Sequence, residues 1–351
     1  MTNETLDGVE VVRYRYAPLR WESLVNDGGV TANLRRHRWK FLLLPTFLAC
    51  QLLTAWRLLR RDRIDVIHAH WLLPQGLVAA LLQLLPGRSV PFLVTSHGAD
   101  LHALRGRTMD ALKRFVLRRA TAATVVSRSM RTVLDAIGAD VAKVEVRPMG
   151  VDMRTRFLPD QAVKRSDSEI LFVGRLVEKK GLRHLIAAMP DILAAHPAAS
   201  LIIAGFGPEE PALRVQVAAL GLQEKVLFLG AVPQAELPVL YRRAAVFVAP
   251  FVQAASGDQE GLGLVLVEAI GCGCPVIAGD VPAVADLPVE AVRADAESLA
   301  AAIGEVLAAP MRTLAVAEAS RAYCIEHFDW DSVAGGYARL LARASHGGVG
   351  A

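Results

Sequence analysis

An α/β protein of two domains, each a parallel sheet sandwiched by helices, is the fold class this sequence predicts, on three observations. The chain has 351 residues, more than one hydrophobic core ordinarily organises. From Glu169 onward, apolar runs of strand length alternate with helical stretches, the pattern of crossover units in a parallel sheet. A polar stretch, Pro159 to Ser168, precedes that alternation and reads as a link between domains. Composition agrees, since 53% of residues are apolar and 6% aromatic, which excludes a disordered chain. The four cysteines, Cys50, Cys272, Cys274 and Cys324, form no disulfide framework and point to a reducing, cytoplasmic setting.

The net charge of +4 conceals a split: residues 1–150 carry +10 and the remainder −6. Such asymmetry suggests that the first half meets an anionic surface or ligand. No helix-turn-helix or aromatic-interleaved basic motif accompanies it, so nucleic acid is not the expected partner. An anionic membrane surface fits better, which would make the protein peripheral on the inner face of the plasma membrane.

In chain order, Val9 to Tyr16 reads as a strand ending at Pro18, followed by a glycine turn at Gly28-Gly29. Basic clusters (Arg35, Arg36, Arg38, Lys40 and Arg57, Arg60, Arg61, Arg63) then flank the uncharged segment Phe41 to Trp56. Sixteen residues interrupted by Pro45 are short for a membrane span, leaving an interfacial helix or a core helix. Asp65 to Trp71 reads as a buried strand carrying His68 and His70 on one face, a spacing that can hold zinc, though no third ligand is evident. Pro91 to Asp100 reads as another strand, with His97 at its carboxyl end, where open α/β sheets face their ligands. A strand at Ala123 to Ser127, and Val144 to Asp152 as a strand running into a glycine turn, complete the first half.

In the second half, Glu169 to Val173 opens onto Gly174-Arg175-Leu176-Val177-Glu178-Lys179-Lys180-Gly181. An arginine and a lysine on a strand-to-helix loop at the ligand edge can clamp a diphosphate. After the next strand, Gly205-Phe206-Gly207 lets main chain approach a ligand closely. The most informative stretch runs from Glu260 through Gly261-Leu262-Gly263-Leu264 to Glu268, inside an apolar helix. A helix starting near Gly263 leaves the amides of Gly261 to Leu264 as donors at its positive end, suited to a phosphate. Glu268 lies roughly 7–8 Å further along the axis, about the separation of a diphosphate from its ribose. Glu260 is then free to face whatever is esterified beyond the phosphates. The competing reading is a buried helix with solvated or capping glutamates.

This pattern resembles the group 1 (family 4) retaining glycosyltransferases, two-domain enzymes of the GT-B architecture with Rossmann-like domains. The resemblance implies that Glu260 holds the donor sugar and Glu268 the ribose. It implies that Arg175 and Lys180 stabilise the diphosphate and that His97 leans against the sugar. It likewise implies that Gly205 and Gly207 border the donor and that the Gly230-Ala231-Val232 segment meets the base. The donor is expected to be a UDP- or GDP-linked sugar, the acceptor a glycan or lipid-linked molecule, and no metal or cofactor is expected. Expected boundaries are 1–155 for an acceptor domain, 156–328 for the nucleotide-sugar domain, and 329–351 for a helix crossing back to the first. The family's chain opens with a central strand and a glycine-rich turn. No such stretch precedes Val9, so the first domain is expected to lack its opening strand and helix. A gap between two ladders of its sheet, or a foreign segment filling it, should result, with nucleotide bound but sugar transferred poorly.

A nucleotide-sugar epimerase and a non-catalytic donor-binding protein are the rival readings. Cys272-x-Cys274 reads as small-residue packing before Pro275 rather than a metal site, and Asp329-Trp330-Asp331 as a helix N-cap.

Overall fold

The computed structural model describes residues 2–25, 30, 33–34, 37–87 and 89–346. The expected turn at Gly28-Gly29 and the basic residues Arg35 and Arg36 lie outside them.

The chain opens as a hairpin, β1 (Thr2–Leu6) antiparallel to β2 (Val9–Arg13). Asp7 and Gly8 both take positive φ, 49° and 82°, as a two-residue turn matched to strand twist requires. The strand expected at Val9 therefore pairs with its own neighbour and takes no part in the first parallel sheet. The local Asp-Gly turn settles the pairing here in favour of the adjacent strand over a distant ladder. A 3₁₀ turn (Arg38–Leu43) leads into helix α1 (Leu44–Arg61), and Pro45 sits in its first turn, where its missing N–H costs nothing. Pro45 thus starts this helix rather than interrupting it. Arg38–Arg61 is long and apolar enough to cross a membrane by length and composition. It is no core helix: Phe41, Leu42 and Leu53 are exposed, while Phe47 and Thr54 are buried.

The first sheet holds β3 (Ile67–His70), β4 (Phe92–Ser96), β5 (Ala122–Val125) and β6 (Val144–Val146), all parallel and in that order. Between them run α2 (Leu77–Leu82), α3 (Ala99–His102), α4 (Arg107–Arg119) and α5 (Arg128–Ala136). No gap between two ladders and no foreign filler occurs among the described residues; the sheet simply begins at β3, whose outer edge has no strand beside it.

The second sheet has six parallel strands in the order β12-β11-β10-β7-β8-β9. They are β7 (Glu169–Val173), β8 (Ser200–Ala204), β9 (Val226–Gly230), β10 (Val246–Ala249), β11 (Val276–Gly279) and β12 (Glu290–Val292). Helices α6 (Leu182–Ala195), α7 (Glu210–Ala219), α8 (Leu237–Arg243), α9 (Leu264–Gly271) and α10 (Ala296–Ala308) cover it. The chain winds outward from β7 through β8 to β9, then returns to place β10 on the other side of β7. That reversal makes a topological switch point, and the loops after β7 and β10 form its crevice. Helix α11 (Pro310–Phe328) leads to α12 (Trp330–His346), which returns to the first domain. There the Tyr337 hydroxyl lies 3.3 Å from the Arg147 carbonyl and 3.4 Å from Thr124 Oγ1. Asp329 caps the start of α12 through the Asp331 amide and also takes the Met153 amide and the Arg154 guanidinium. Cys272 and Cys274 are buried, with burial pushing their thiols up to about 12 and about 11.

Candidate active site

The two loops at the switch point are laced together. Val252 donates to the Lys179 carbonyl (3.0 Å), Ala255 to the Glu178 carboxylate (2.8 Å), and Lys179 Nζ to the Gln259 carbonyl (3.2 Å). The first loop can pass this close because Gly181 has φ +67°, and a Cβ there would lie 1.8 Å from the Pro250 oxygen. Lys180 Nζ stands 2.7 Å from Glu260 Oε2 and 4.6 Å from the Phe251 ring centroid. Burial works to raise the Glu260 pKa, but Lys180, Lys179 and the Gly261 amide outweigh it and hold the carboxyl below its usual range. Glu260 therefore remains an anion facing a cation, at the mouth of the crevice. Arg175 projects from the same loop, exposed and with no ion-pair partner among the described residues.

Helix α9 begins at Leu264 behind Gly263, as the amide-donor reading requires. Glu268 is buried on it and accepts a hydrogen bond from the Tyr241 hydroxyl at 3.0 Å. Burial raises its pKa, partly opposed by Tyr241 and Gln234. Gly205 donates to the Gly230 carbonyl at 2.7 Å and the Leu176 amide to the Phe206 carbonyl at 2.9 Å, so the Gly205 to Gly207 turn is knitted to the Arg175 loop. Leu262 is buried and Val232 half-buried against the core shared by both domains.

The first domain closes the crevice from the other side. A Cβ on Gly261 would come 2.7 Å from the His97 carbonyl, and one on Gly98 would meet the Gly261 Cα at 3.0 Å. Gln259 Nε2 lies 3.1 Å from the His102 ring, Arg105 donates to the Gly257 carbonyl at 2.6 Å, and Arg128 pairs with Asp286 at 3.0 Å. Asp100 is buried under this seam, accepting from the Leu72 amide (2.6 Å) and the Ser96 hydroxyl (2.8 Å), which ties the loop after β3 to β4. The structure thus brings Arg175, Lys180, Glu260 and the Gly261–Leu264 turn together at one switch point, with His97 across the seam. Sequence reasoning missed Lys179, Tyr241, Gln259 and His102. Lys179 was hidden beside Lys180, and the other three act through contacts between distant segments that no local motif marks. A separate concavity of about 1000 Å³, lined by Lys164, His196 and Arg243, lies at the amino ends of β7 and β8, away from these groups.

Residues 154–341 match the family Glycosyl transferases group 1, and residues 7–150 a Glycosyl transferase 4-like domain. The chain belongs to the group 1 glycosyl transferases. It is accordingly a glycosyltransferase. A GDP-mannose-dependent α-(1-6)-phosphatidylinositol monomannoside mannosyltransferase of Mycolicibacterium smegmatis is 29% identical over 306 residues, covering 82% of this chain and 78% of that protein. A sucrose-phosphate synthase from Thermosynechococcus elongatus superposes with a TM-score of 0.77 at 23% identity, covering 97% of this chain and 84% of that one. An Anabaena protein crystallised with UDP and glucose superposes with a TM-score of 0.72 at 20% identity, covering 91% and 90%. These two share the GT-B fold of this glycosyltransferase.

Proposed function

We propose that this glycosyltransferase moves a hexose from a UDP- or GDP-linked donor to a hydroxyl of a glycan or lipid-linked acceptor, with retention of anomeric configuration and without a metal. The observation that carries the reading is the Lys180–Glu260 pair at the switch point of the second sheet, with exposed Arg175 on the loop that carries Lys180. The donor's bond between the anomeric carbon and the β-phosphate oxygen breaks. The acceptor oxygen bonds to that carbon, and its proton leaves with the diphosphate. Charge builds on the departing diphosphate, where Arg175, Lys180 and the amides of Gly261 to Leu264 supply fixed positive potential, the task a metal ion performs in other enzymes. A diphosphate arriving at Lys180 competes with Glu260 for it, releasing carboxylate oxygens to accept hydrogen bonds from sugar hydroxyls. Glu268, steadied by Tyr241, takes the ribose hydroxyls, while Gly205, Gly207 and Val232 border the base. The sequence relative uses GDP-mannose and a phosphatidylinositol mannoside by name, which supports a lipid-linked acceptor and keeps GDP beside UDP as the base.

The first domain would dock on an anionic membrane through α1 and the 3₁₀ turn before it, where exposed Phe41 and Leu42 of the turn and Leu53 of the helix accompany Arg57, Arg60 and Arg61. Incubation with a panel of nucleotide sugars, with and without chelator, tests the donor and the metal together. Nucleotide diphosphate release from one donor, unaffected by chelation, is expected. NMR of the product anomer reads retention. Release that needs a divalent cation, or an inverted product, would overturn those parts.

A further inference from the structure

His97 follows the end of β4 at the seam, and both of its ring nitrogens are engaged. Nε2 lies 2.9 Å from Nδ1 of His70, and Nδ1 lies 3.1 Å from the Met149 sulfur. A thioether carries no hydrogen and serves only as a weak acceptor, so the hydrogen in the contact with Met149 is on His97 Nδ1. A neutral imidazole has one N–H, so His97 Nε2 is a bare lone pair and the hydrogen between the rings is on His70 Nδ1. Both rings are neutral: burial, with His70 adding to it, lowers His97 to about 4, and burial lowers His70. A charged His97 would instead donate its Nε2–H to a bare His70 Nδ1, reversing the bond between the rings.

The surroundings hold this arrangement in place. The two ring planes lie 21° from parallel with centroids 5.1 Å apart, side by side as an in-plane hydrogen bond requires, the His68 ring centroid follows 4.2 Å beyond that of His70, and Trp71 stands edge-on to His97. His68 is itself anchored to the Thr95 hydroxyl at 2.8 Å, which in turn bonds Thr124 at 2.7 Å. On the main chain, the His97 carbonyl abuts Gly261, the first residue of the turn before α9. The His97 ring is thus carried by a residue whose main chain lies against the donor loop.

We propose that His70 and Met149 are positioning residues that hold His97 as its Nδ1–H tautomer in one orientation beside the Gly261 loop, His70 by donating its Nδ1–H to His97 Nε2. The kinetic consequence rests on the glycosyl-transfer reading, whereas the tautomer does not.

Long-range ¹⁵N–¹H NMR of histidine-labelled protein reads the tautomer directly, without substrate. Wild type should show His97 as a single Nδ1–H form. His70→Ala removes the donor and should mix the two tautomers. His70→Asn places an amide N–H where Nδ1–H was and should restore the single form. With the donor found by the panel above, kcat should fall about tenfold in His70→Ala, the size of one neutral hydrogen bond, recover in His70→Asn, and leave KM for the donor nearly unchanged. Met149→Leu, which deletes the sulfur while preserving bulk, should also mix the tautomers and covers the case in which His70→Ala fails to fold. An Nε2–H form in wild type, or a single Nδ1–H form persisting in both His70→Ala and Met149→Leu, would overturn the proposal. So would an Asn variant no better than Ala. Finding no transferase activity would sink the function above while the NMR result still decided this one.

Discussion

At the scale of single residues, the proposed mechanism gives separate tasks to two cations and two carboxylates, and experiment can separate them. Arg175 is exposed and unpaired among the described residues, whereas Lys180 is already held by Glu260. Either Arg175→Ala or Lys180→Ala should lower turnover by roughly 10²–10³-fold, the scale of one preorganised oxyanion donor. Lys180→Ala should in addition lift the Glu260 pKa, because burial then acts on the carboxyl with less positive charge to oppose it. Near-normal turnover in both variants would remove them from the mechanism. The glutamates should fail differently. Glu268→Gln should weaken binding of the free nucleotide diphosphate by about 1–3 kcal/mol, as expected for a charge-assisted hydrogen bond. Glu260→Gln should spare that affinity and damage sugar transfer. Calorimetric titration of both variants decides, and equal losses would mean the roles are misassigned.

At the scale of elements, α1 and the turn before it carry the sharpest expectation. Trp39, Phe41, Leu42 and Leu53 expose apolar surface on a segment that ends in Arg57, Arg60 and Arg61. Sedimentation with anionic vesicles should therefore carry the protein down at low salt, and raising the salt should release it as screening shortens the reach of the basic residues. Binding to neutral vesicles with equal strength would assign the attachment to the apolar residues alone. The role of Pro45 was misjudged from sequence because its effect depends on where the helix starts: at the first turn it is harmless, three residues later it breaks. The elements of the second domain were readable, because each strand, loop and helix of a crossover unit is local in sequence. Val9 was readable as a strand but not in its pairing, since a ladder partner is a non-local choice, settled here by the tight turn at Asp7-Gly8. The placement of the loop carrying Arg175 and Lys180 and of the turn before α9 at the ligand edge of the sheet was likewise readable, because each directly follows a strand. The hydrogen bond from Tyr241 to Glu268 and the approach of Gln259 to His102 were not, for each joins segments that no motif connects.

For the whole molecule, the seam between domains is built on neutral histidines, and this makes stability depend on acid. Burial lowers His68, His97 and His102 to about 4 each. His102 also feels Arg105, Lys179 and Lys113, which lower it further, against Asp258, which raises it. In the unfolded chain an ordinary histidine titrates near 6.5. Above about pH 6.5 both states are neutral at these positions and the three groups contribute nothing to the pH dependence. Between about 6.5 and about 4 the unfolded chain binds more protons than the folded one, so stability falls as pH falls through this window. Asp100, Glu209, Glu268 and Glu290, raised by burial, act in the opposite sense at the lower end, in the carboxylate range, while burial also lowers His70 and His184 and so adds to the acid sensitivity above it. The melting temperature should therefore decline from pH 7 to pH 5, above the range in which ordinary carboxylates titrate. Replacing His102 by Gln keeps a polar side chain beside Gln259 while deleting one of the three titrations. The slope between pH 6.5 and 5 should become shallower in that variant, with little change in stability at pH 7.5. A wild-type melting temperature flat across this window, or an unaltered slope in His102→Gln, would show that the seam tolerates charged histidines and that its closeness rests on the approach of Gly98 to Gly261 instead.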